Sequence, residues 1–158
     1  MSLQSLPHVL TSLTEREAIT DALYRALLAF DNNDVSMFNS AFSEDVIVEY
    51  RGSDINGRDA IRTQFLDVVG TMDTTHTISN VRVNVKDGAS TASLTAYAQA
   101  QHCPAGKGGE PDSPKYLVAS TYFVDLEKVE SEGLWKIKKW AAKVIWRQGD
   151  SSVMQRHS

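Results

Sequence analysis

Residues 19–31 read ITDALYRALLAFD. Ile19, Leu23 and Leu27 recur every four residues, which predicts the buried face of an amphipathic helix. The next position on that face is Asp31, a carboxylate where another apolar side chain is expected. A carboxylate in line with a core stripe is either paired with a polar partner or used in chemistry. The plainer alternative is that Asp31 ends the helix with its side chain in water.

The first helix is bounded by signals on both sides. Thr14 and Glu17 match a capping box, in which each side chain satisfies an exposed amide of the first turn. The helix is expected to end at Phe30 or Asp31. Asp34 can then cap a short second helix.

One more helix and a short strand are predicted next. Residues 46–50 are rich in β-branched side chains and are short enough for a strand. Asn56-Gly57 then turns the chain into a third helix that ends near Gly70.

Long antiparallel strands are predicted in the second half of the chain. They cover residues 76–86, 89–102, 115–129 and 134–147. Asp87-Gly88 is a strong hairpin signal between the first two, and residues 103–114, with three Gly and three Pro, are expected to form a loop. Three helices followed by a long curved antiparallel sheet indicate an α+β fold in which the helices cover one sheet face.

The faces of two strands indicate a pocket. Alternation puts His102 in line with a stripe of small residues, Ala92, Ala96, Ala98 and Ala100. Such a stripe leaves space for a ligand or, equally, for close packing of a helix. The valines of the strand over residues 76–86 lie at odd positions, whereas His76 lies at an even one. His76 would therefore point to the opposite face unless a β-bulge near Ser79-Asn80 shifts the alternation by one. We predict that bulge.

The last strand shows a similar change of parity. Trp135 and Ile137 share one face, whereas Trp140 and Trp146 fall on even positions. Two such changes predict a strongly bent sheet. Exposed side chains among the three tryptophans would also suit a subunit interface.

Asp31, His76 and His102 are candidates for a proton-transfer site. An imidazole that donates one N–H to a carboxylate keeps its other nitrogen basic, which makes a general base near neutral pH. We expect His76 to be the base, Asp31 to orient it, and His102 to donate a proton or hydrogen bond to a substrate oxygen. Tyr50 could polarise a carbonyl or hold a water molecule.

Other readings of these residues stay open. Each histidine could be a satisfied core residue, and Tyr50 could pack at a strand edge. Two histidines and a carboxylate could also hold iron, although nothing in their spacing favours this, and we expect no metal and no cofactor. The sequence has no glycine-rich phosphate loop, serine nucleophile elbow or paired-cysteine motif.

Length and charge limit the remaining possibilities. With 158 residues, the chain is expected to form one domain with a core over about residues 13–150 and flexible ends. A net charge of −4 gives no general attraction for nucleic acid or anionic lipid. The single Cys103 rules out an intramolecular disulfide and fits a reducing cytoplasm. Residues 1–13 carry no signal-peptide pattern, and we expect no membrane anchor.

Several short motifs, in their order and spacing, resemble the SnoaL-like group of the NTF2-like superfamily. The similarity is greatest to the branch that contains scytalone dehydratase, the bile-acid dehydratase and the lindane dehydrochlorinase. It spans Leu13 to about Asp150. The matching pieces are Glu17-Ala18-Ile19, Phe30-Asp31-Asn32-Asn33-Asp34, Val48-Glu49-Tyr50, Gly57-Arg58-Asp59-Ala60-Ile61, Thr75-His76 with Asn80, and Trp135-Lys136-Ile137.

The resemblance implies a fold and a set of site residues. The fold is a cone-shaped α+β barrel, with three N-terminal helices on a strongly curved antiparallel or mixed sheet that encloses a pocket. By position, Asp31 and His76 match the family's catalytic pair, Tyr50 matches a water-holding tyrosine, and His102 matches a second histidine. The expected substrate-binding residues are Phe30, Ser120, Tyr122 and Trp146. Phe30 departs from the pattern, because scytalone dehydratase has a second water-binding tyrosine there.

Two functions are compatible with the resemblance. The first is a cofactor-independent, dehydratase-like lyase or isomerase that acts on a hydrophobic cyclic or polyketide-like small molecule. The alternative is a non-catalytic module for small-molecule binding or oligomer assembly, like the small subunit of ring-hydroxylating dioxygenases. A homo-oligomer, dimer or trimer, is expected in either case.

Overall fold

A computed structural model of the protein describes residues 7–155 and places three helices on one face of a six-stranded mixed sheet. The strands are β1 (Phe42–Tyr50), β2 (Ser53–Asn56), β3 (Asp73–Asn84), β4 (Thr91–Cys103), β5 (Tyr116–Val129) and β6 (Leu134–Gly149). Their order across the sheet is β2-β1-β6-β5-β4-β3, and β1 runs parallel to β6 while the other neighbouring pairs are antiparallel. The α+β prediction is confirmed, but the sheet is open at β2 and β3 and does not close into a barrel.

The helices begin and end close to the predicted residues. Helix α1 covers Glu15–Asn32 and α2 covers Val35–Ala41. The third helix, α3, starts as an α-helix over Arg58–Ile61, widens to a π-helix over Arg62–Leu66 and finishes with one α-helical turn at Asp67–Val69. Among the described residues, no helix combines the length and the apolar character that a membrane span requires.

The predicted caps are present. Thr14 Oγ1 accepts the amide N–H of Glu17 at 3.2 Å, and the Glu17 carboxylate accepts the amide of Thr14 at 2.7 Å. Asn33 ends α1 in the left-handed conformation, and Asp34 Oδ1 caps α2 by accepting the amide of Met37 at 2.9 Å. These short-range bonds turn the chain at the place where Asp31 occupies the last turn of α1.

The stripe on α1 is buried, as predicted: Ile19 and Leu23 are fully buried and Leu27 is nearly so. Trp135 and Trp140 are also in the core. These two tryptophans are therefore not available to an exposed subunit interface. Both face inward despite their opposite parity, because β6 has an extra residue at Lys138 between them.

The bulge in β3 is confirmed. Ser79 pairs with Tyr97 and Arg82 with Thr95, so two residues of β3 stand opposite the single residue between those partners. Asn80, one of the two, has φ of 54°. Before the bulge the even positions face inward and after it the odd positions do, which reconciles His76 with the valine face.

Strand β6 contains two irregularities. The predicted one lies at Lys138, between the partners of Asp125 and Leu126. The other lies at Ile145, because Val144 pairs with Ser120 whereas Trp146 pairs with Ala119. This extra residue was not predicted, and it turns Trp146 away from the inner face.

The last described residues pack against the sheet. Residues Ser151–Met154 form a 3₁₀ helix capped by Asp150, and Val153 is buried. Flexible ends were predicted, but part of that prediction falls on residues 1–6 and 156–158, which lie outside the described part of the chain. Strand β2, which makes a hairpin with β1, was also not predicted.

Candidate active site

A cavity of about 530 Å³ lies between the helices and the inner face of the sheet. Its walls are largely apolar and include Phe30, Ala98, Ala100, Val118, Trp140 and Val144. This volume is within the range of pockets that bind small organic molecules. Ala98 and Ala100 of the predicted alanine stripe therefore line an open space.

Asp31 binds His76, which lines this cavity, through two hydrogen bonds. Asp31 Oδ1 lies 2.7 Å from Nδ1 of the His76 ring, and Oδ2 accepts the backbone amide of His76 at 2.9 Å. Thr74 Oγ1 donates a third hydrogen bond, at 2.8 Å, to Oδ1. The carboxylate that interrupts the apolar face of α1 is thus paired, and the alternative that it ends the helix in water is wrong.

The charge on Asp31 is supported by these donors. Burial by itself raises the pKa of a carboxyl group, because it removes water from the ion. The bonds from the ring and amide of His76 and from Thr74 outweigh burial, so the pKa of Asp31 lies below its ordinary value. Asp31 is therefore ionised at neutral pH.

The contact fixes the tautomer of His76. A carboxylate can only accept, so Nδ1 carries the proton and, in the neutral ring, Nε2 is a bare acceptor. The side chain of His76 is 9% exposed and lines the cavity. This is the arrangement of a general base held by a carboxylate.

His102 also lines the cavity, with its ring perpendicular to that of His76 and the two centroids 5.9 Å apart. Its Nδ1 lies 3.1 Å from the carbonyl oxygen of Tyr116, which can only accept. Burial is the main reason that the pKa of His102 is lowered, so the ring is neutral near pH 7. The neutral ring presents a lone pair on Nε2. Our expectation that His102 donates to substrate is therefore restricted to its protonated form.

Tyr50 is at the outer end of the cavity. Its side chain is 44% exposed, its ring packs edge-on against Phe65 at 5.1 Å, and the guanidinium of Arg51 lies 5.1 Å above it. We define the mouth of the cavity as the five lining residues that are both exposed and polar, Glu49, Tyr50, Arg51, Arg147 and Ser151.

Three of the four expected substrate-binding residues line the cavity. Phe30 and Tyr122 form part of its aromatic wall, and Ser120 is buried two residues before Tyr122 on the inner face of β5. Burial and the charge of Asp31 raise the pKa of Tyr122, so its hydroxyl stays protonated and can donate. Trp146 is a correction: it is 40% exposed and does not line the cavity, because the bulge at Ile145 reverses its direction.

Three further polar residues at the site were not predicted. Thr74 shares the inward face of His76 two positions earlier on β3, so strand parity could have identified it. Arg51 follows the predicted strand directly, but its position at the mouth depends on the β1–β2 turn. Arg147 replaces Trp146 on the inner face only because of the bulge at Ile145.

The described residues contain no cluster of three or more His, Cys, Asp or Glu side chains arranged to hold a metal ion. Asp31 binds Nδ1 of the His76 ring, so the carboxylate and the imidazole are paired with each other. The donor set therefore fits a proton-transfer pair better than a ligand set for iron.

Comparison with known proteins identifies the family. The profile of the SnoaL-like domain matches residues 11–141. The chain is 41% identical over 154 residues to the terrestric acid biosynthesis cluster protein E of Penicillium crustosum, covering 97% of this chain and 98% of that protein.

Solved structures share the fold. One is a candidate scytalone dehydratase from Novosphingobium aromaticivorans, with a TM-score of 0.71 and 24% identity, covering 86% of this chain and 87% of that one. Another is a hexachlorocyclohexane dehydrochlorinase from Novosphingobium barchaimii, with a TM-score of 0.67 and 17% identity, covering 90% and 94%. The chain belongs to the SnoaL-like domain family of the NTF2-like superfamily.

Proposed function

We propose that the protein is a cofactor-independent acid–base lyase or isomerase that acts on a hydrophobic cyclic or polyketide-like small molecule. The observation that carries this proposal is the 2.7 Å contact between Asp31 Oδ1 and Nδ1 of His76, whose side chain lines an apolar cavity. Similarity to a protein of a terrestric acid biosynthesis cluster supports a small-molecule substrate. The dehydratase and dehydrochlorinase among the structures of the same fold agree with an elimination.

The proposed reaction starts at Nε2 of His76. This nitrogen takes a proton from a carbon next to an electron-withdrawing group, and the ring becomes cationic beside the Asp31 carboxylate. The C–H electron pair then forms a double bond, and a leaving group departs with its own bonding pair. In an isomerisation, the same proton returns to another carbon instead.

The other polar groups would bind the oxygen-bearing part of the substrate. The Tyr122 hydroxyl stays protonated and can donate to an oxygen that gains negative charge. His102 Nε2 can accept from a substrate hydroxyl, and Tyr50 can donate at the mouth. Phe30, Trp140 and the alanines of β4 would hold the apolar body of the substrate.

A general probe of base-catalysed elimination tests the proposal. A base removes the C3 proton of the isoxazole ring of 5-nitrobenzisoxazole, the C–H electron pair forms a nitrile, and the N–O bond breaks. The coloured phenolate product is measured by absorbance. We expect the wild-type protein to accelerate this reaction and His76→Ala to lose most of the acceleration, by roughly 10²-fold or more. His8→Ala removes a histidine outside the cavity and should not change the rate. Equal rates for wild type and His76→Ala would contradict the role of His76.

One observation bears on oligomer assembly, which is expected for either function. The outer face of the sheet carries large exposed apolar side chains, Tyr97, Phe123, Ile145 and Trp146. We infer that a second copy of the chain covers this face, in agreement with the predicted homo-oligomer. Sedimentation velocity should show a dimer or trimer that Phe123→Lys shifts toward monomer. A wild-type monomer at micromolar concentration would contradict this inference.

A further inference from the structure

Arg147 is an arginine placed at an apolar cavity by an irregularity of its strand. Strand β6 presents Trp140, Ala142 and Val144 to the cavity, and strict alternation would present Trp146 next. The extra residue at Ile145 moves Trp146 outward and brings Arg147 to the mouth instead. Bulges are used where a strand must redirect a side chain.

Arg51 supplies a second cation at the same opening. It lies in the β1–β2 turn with φ of 53°, and its guanidinium sits over the ring of Tyr50. Across the described residues, neither Arg51 nor Arg147 has a salt bridge or a side-chain hydrogen bond. Glu49 is the one carboxylate among the five mouth residues, so the mouth carries an excess of positive charge.

The cavity therefore has charges of opposite sign around it. Asp31 holds a negative charge behind the cavity-lining His76, where the carboxylate is supported by His76 and Thr74. An anionic group on a ligand would be repelled by Asp31 and attracted to the arginines of the mouth. A planar guanidinium also matches the geometry of a carboxylate or sulfonate.

We propose that Arg147, assisted by Arg51, binds an anionic group at the mouth, and that the ligand is a hydrophobic organic acid whose apolar body points toward His76. This inference rests on the proposed function, because it names the class of substrate for the same cavity. It also assigns a direction: the acidic group stays near solvent, and the reacting carbon lies at the Asp31–His76 pair.

Two fluorescent probes with one aromatic skeleton test the proposal. They are 8-anilinonaphthalene-1-sulfonate, which is anionic, and N-phenyl-1-naphthylamine, which lacks the sulfonate. We expect Arg147→Gln to weaken binding of the anionic probe roughly five- to tenfold and to leave the neutral probe unchanged. Arg82→Gln removes the same charge from an exposed site on β3 and should change neither affinity. The neutral probe should displace the anionic one, because both occupy one cavity.

The outcomes separate this proposal from the proposed function. Equal binding of the anionic probe by wild type and Arg147→Gln overturns the anion site, while the 5-nitrobenzisoxazole assay still reports on His76. Failure of the two probes to compete also overturns it, because the anion then binds outside the cavity. If neither probe binds, the cavity is not an apolar ligand site, and the anion site is overturned with it.

Discussion

Asp31 holds His76 at two points, the ring through Nδ1 at 2.7 Å and the backbone through its amide N–H at 2.9 Å. The two bonds use the two different carboxylate oxygens, so the ring and the strand that carries it are fixed together. A helix terminus and an edge strand, 45 residues apart in sequence, thus form one rigid unit.

Asp31→Asn should abolish most of the proton-transfer activity while keeping the shape of the site. The asparagine amide can donate to Nδ1, which would move the imidazole proton to Nε2 and remove the base. We expect the rate of 5-nitrobenzisoxazole opening to fall by roughly 10²- to 10⁴-fold. Asp67→Asn, an exposed residue of α3, is the matched control. Circular dichroism and urea unfolding should show that both variants fold, and an undiminished rate for folded Asp31→Asn would be inconsistent with this role.

Thr74 is expected to be a positioning residue. Its hydroxyl donates to the same carboxylate oxygen that binds the His76 ring, and its side chain is buried. Thr74→Val removes that donor and should lower kcat for the probe about tenfold, with a smaller change in KM, because a hydrogen bond to a charged group contributes about 1.5 kcal/mol or more. Thr74→Ser should restore the rate. Thr77→Val, on the exposed face of β3, should have no effect, and equal losses in both valine variants would indicate a general effect on the strand.

His102 should make the stability of the protein depend on pH. Burial lowers the pKa of the folded-state imidazole, so the unfolded chain binds the proton more readily. The resulting stabilisation is present above the unfolded pKa of about 6.5 and is lost as the pH falls through the folded value. We expect the free energy of urea unfolding to decline more steeply in wild type than in His102→Gln as the pH falls below about 6.5. His8→Gln should follow the wild type, and coincident curves for wild type and His102→Gln would contradict the lowered pKa.

The tautomer of His102 can be measured directly. Two-bond ¹H–¹⁵N NMR correlations distinguish a protonated ring nitrogen from a bare one. Because Nδ1 faces the Tyr116 carbonyl, we expect a protonated Nδ1 and a bare Nε2 at neutral pH. The opposite tautomer would restore the donor role that the sequence suggested for neutral His102.

The bulge at Asn80 should be needed to aim His76. Asn80 has φ of 54°, a conformation that glycine adopts freely, that asparagine tolerates, and that β-branched residues adopt at a cost of roughly 1–2 kcal/mol. Asn80→Gly should therefore keep stability and activity, whereas Asn80→Val should lower both. Asn84→Val, near the regular end of the same strand, is the control. Urea midpoints and probe turnover measure the two effects, and a fully active Asn80→Val would show that the bulge does not set the direction of His76.

The sequence allowed prediction of features that depend on local chemistry and alternation. The caps at Thr14 and Asp34, the stripe on α1 and the bulge near Asn80 each leave a signal in neighbouring residues. Thr74 was within reach of the same reasoning, because it shares parity with His76. These features need no knowledge of which strands pair.

Other features depend on contacts between distant segments, which periodicity does not encode. The bulge at Ile145 shows no break in apolar pattern, since Ile145 and Trp146 are both apolar, so the inward position of Arg147 could not be predicted. The tautomer of His102 depends on the Tyr116 carbonyl, a partner that only the β4–β5 register provides. The sheet is open because β2 and β3 do not pair with each other, and the order of the strands along the chain does not reveal this.

Gly149 should control how the last segment closes on the mouth. Its φ is 91°, and a Cβ there would lie 2.1 Å from the carbonyl oxygen of Lys115. The next residue, Asp150, donates its amide to that same carbonyl and caps the 3₁₀ helix that carries Ser151 and Met154 to the cavity. An alanine at Gly149 therefore cannot fit without moving the end of β6.

The expected result of Gly149→Ala is a loss of more than about 1–2 kcal/mol in the free energy of unfolding, together with faster proteolysis after β6. Gly133→Ala is the matched control, because Gly133 has φ of 64° but nothing within 4 Å of the added Cβ. The control should show only the cost of the left-handed backbone, about 1 kcal/mol. The excess in Gly149→Ala then measures the close approach to Lys115. Equal losses in the two variants, with an unchanged cleavage pattern, would mean that the terminal segment adjusts and that Gly149 does not hold the mouth.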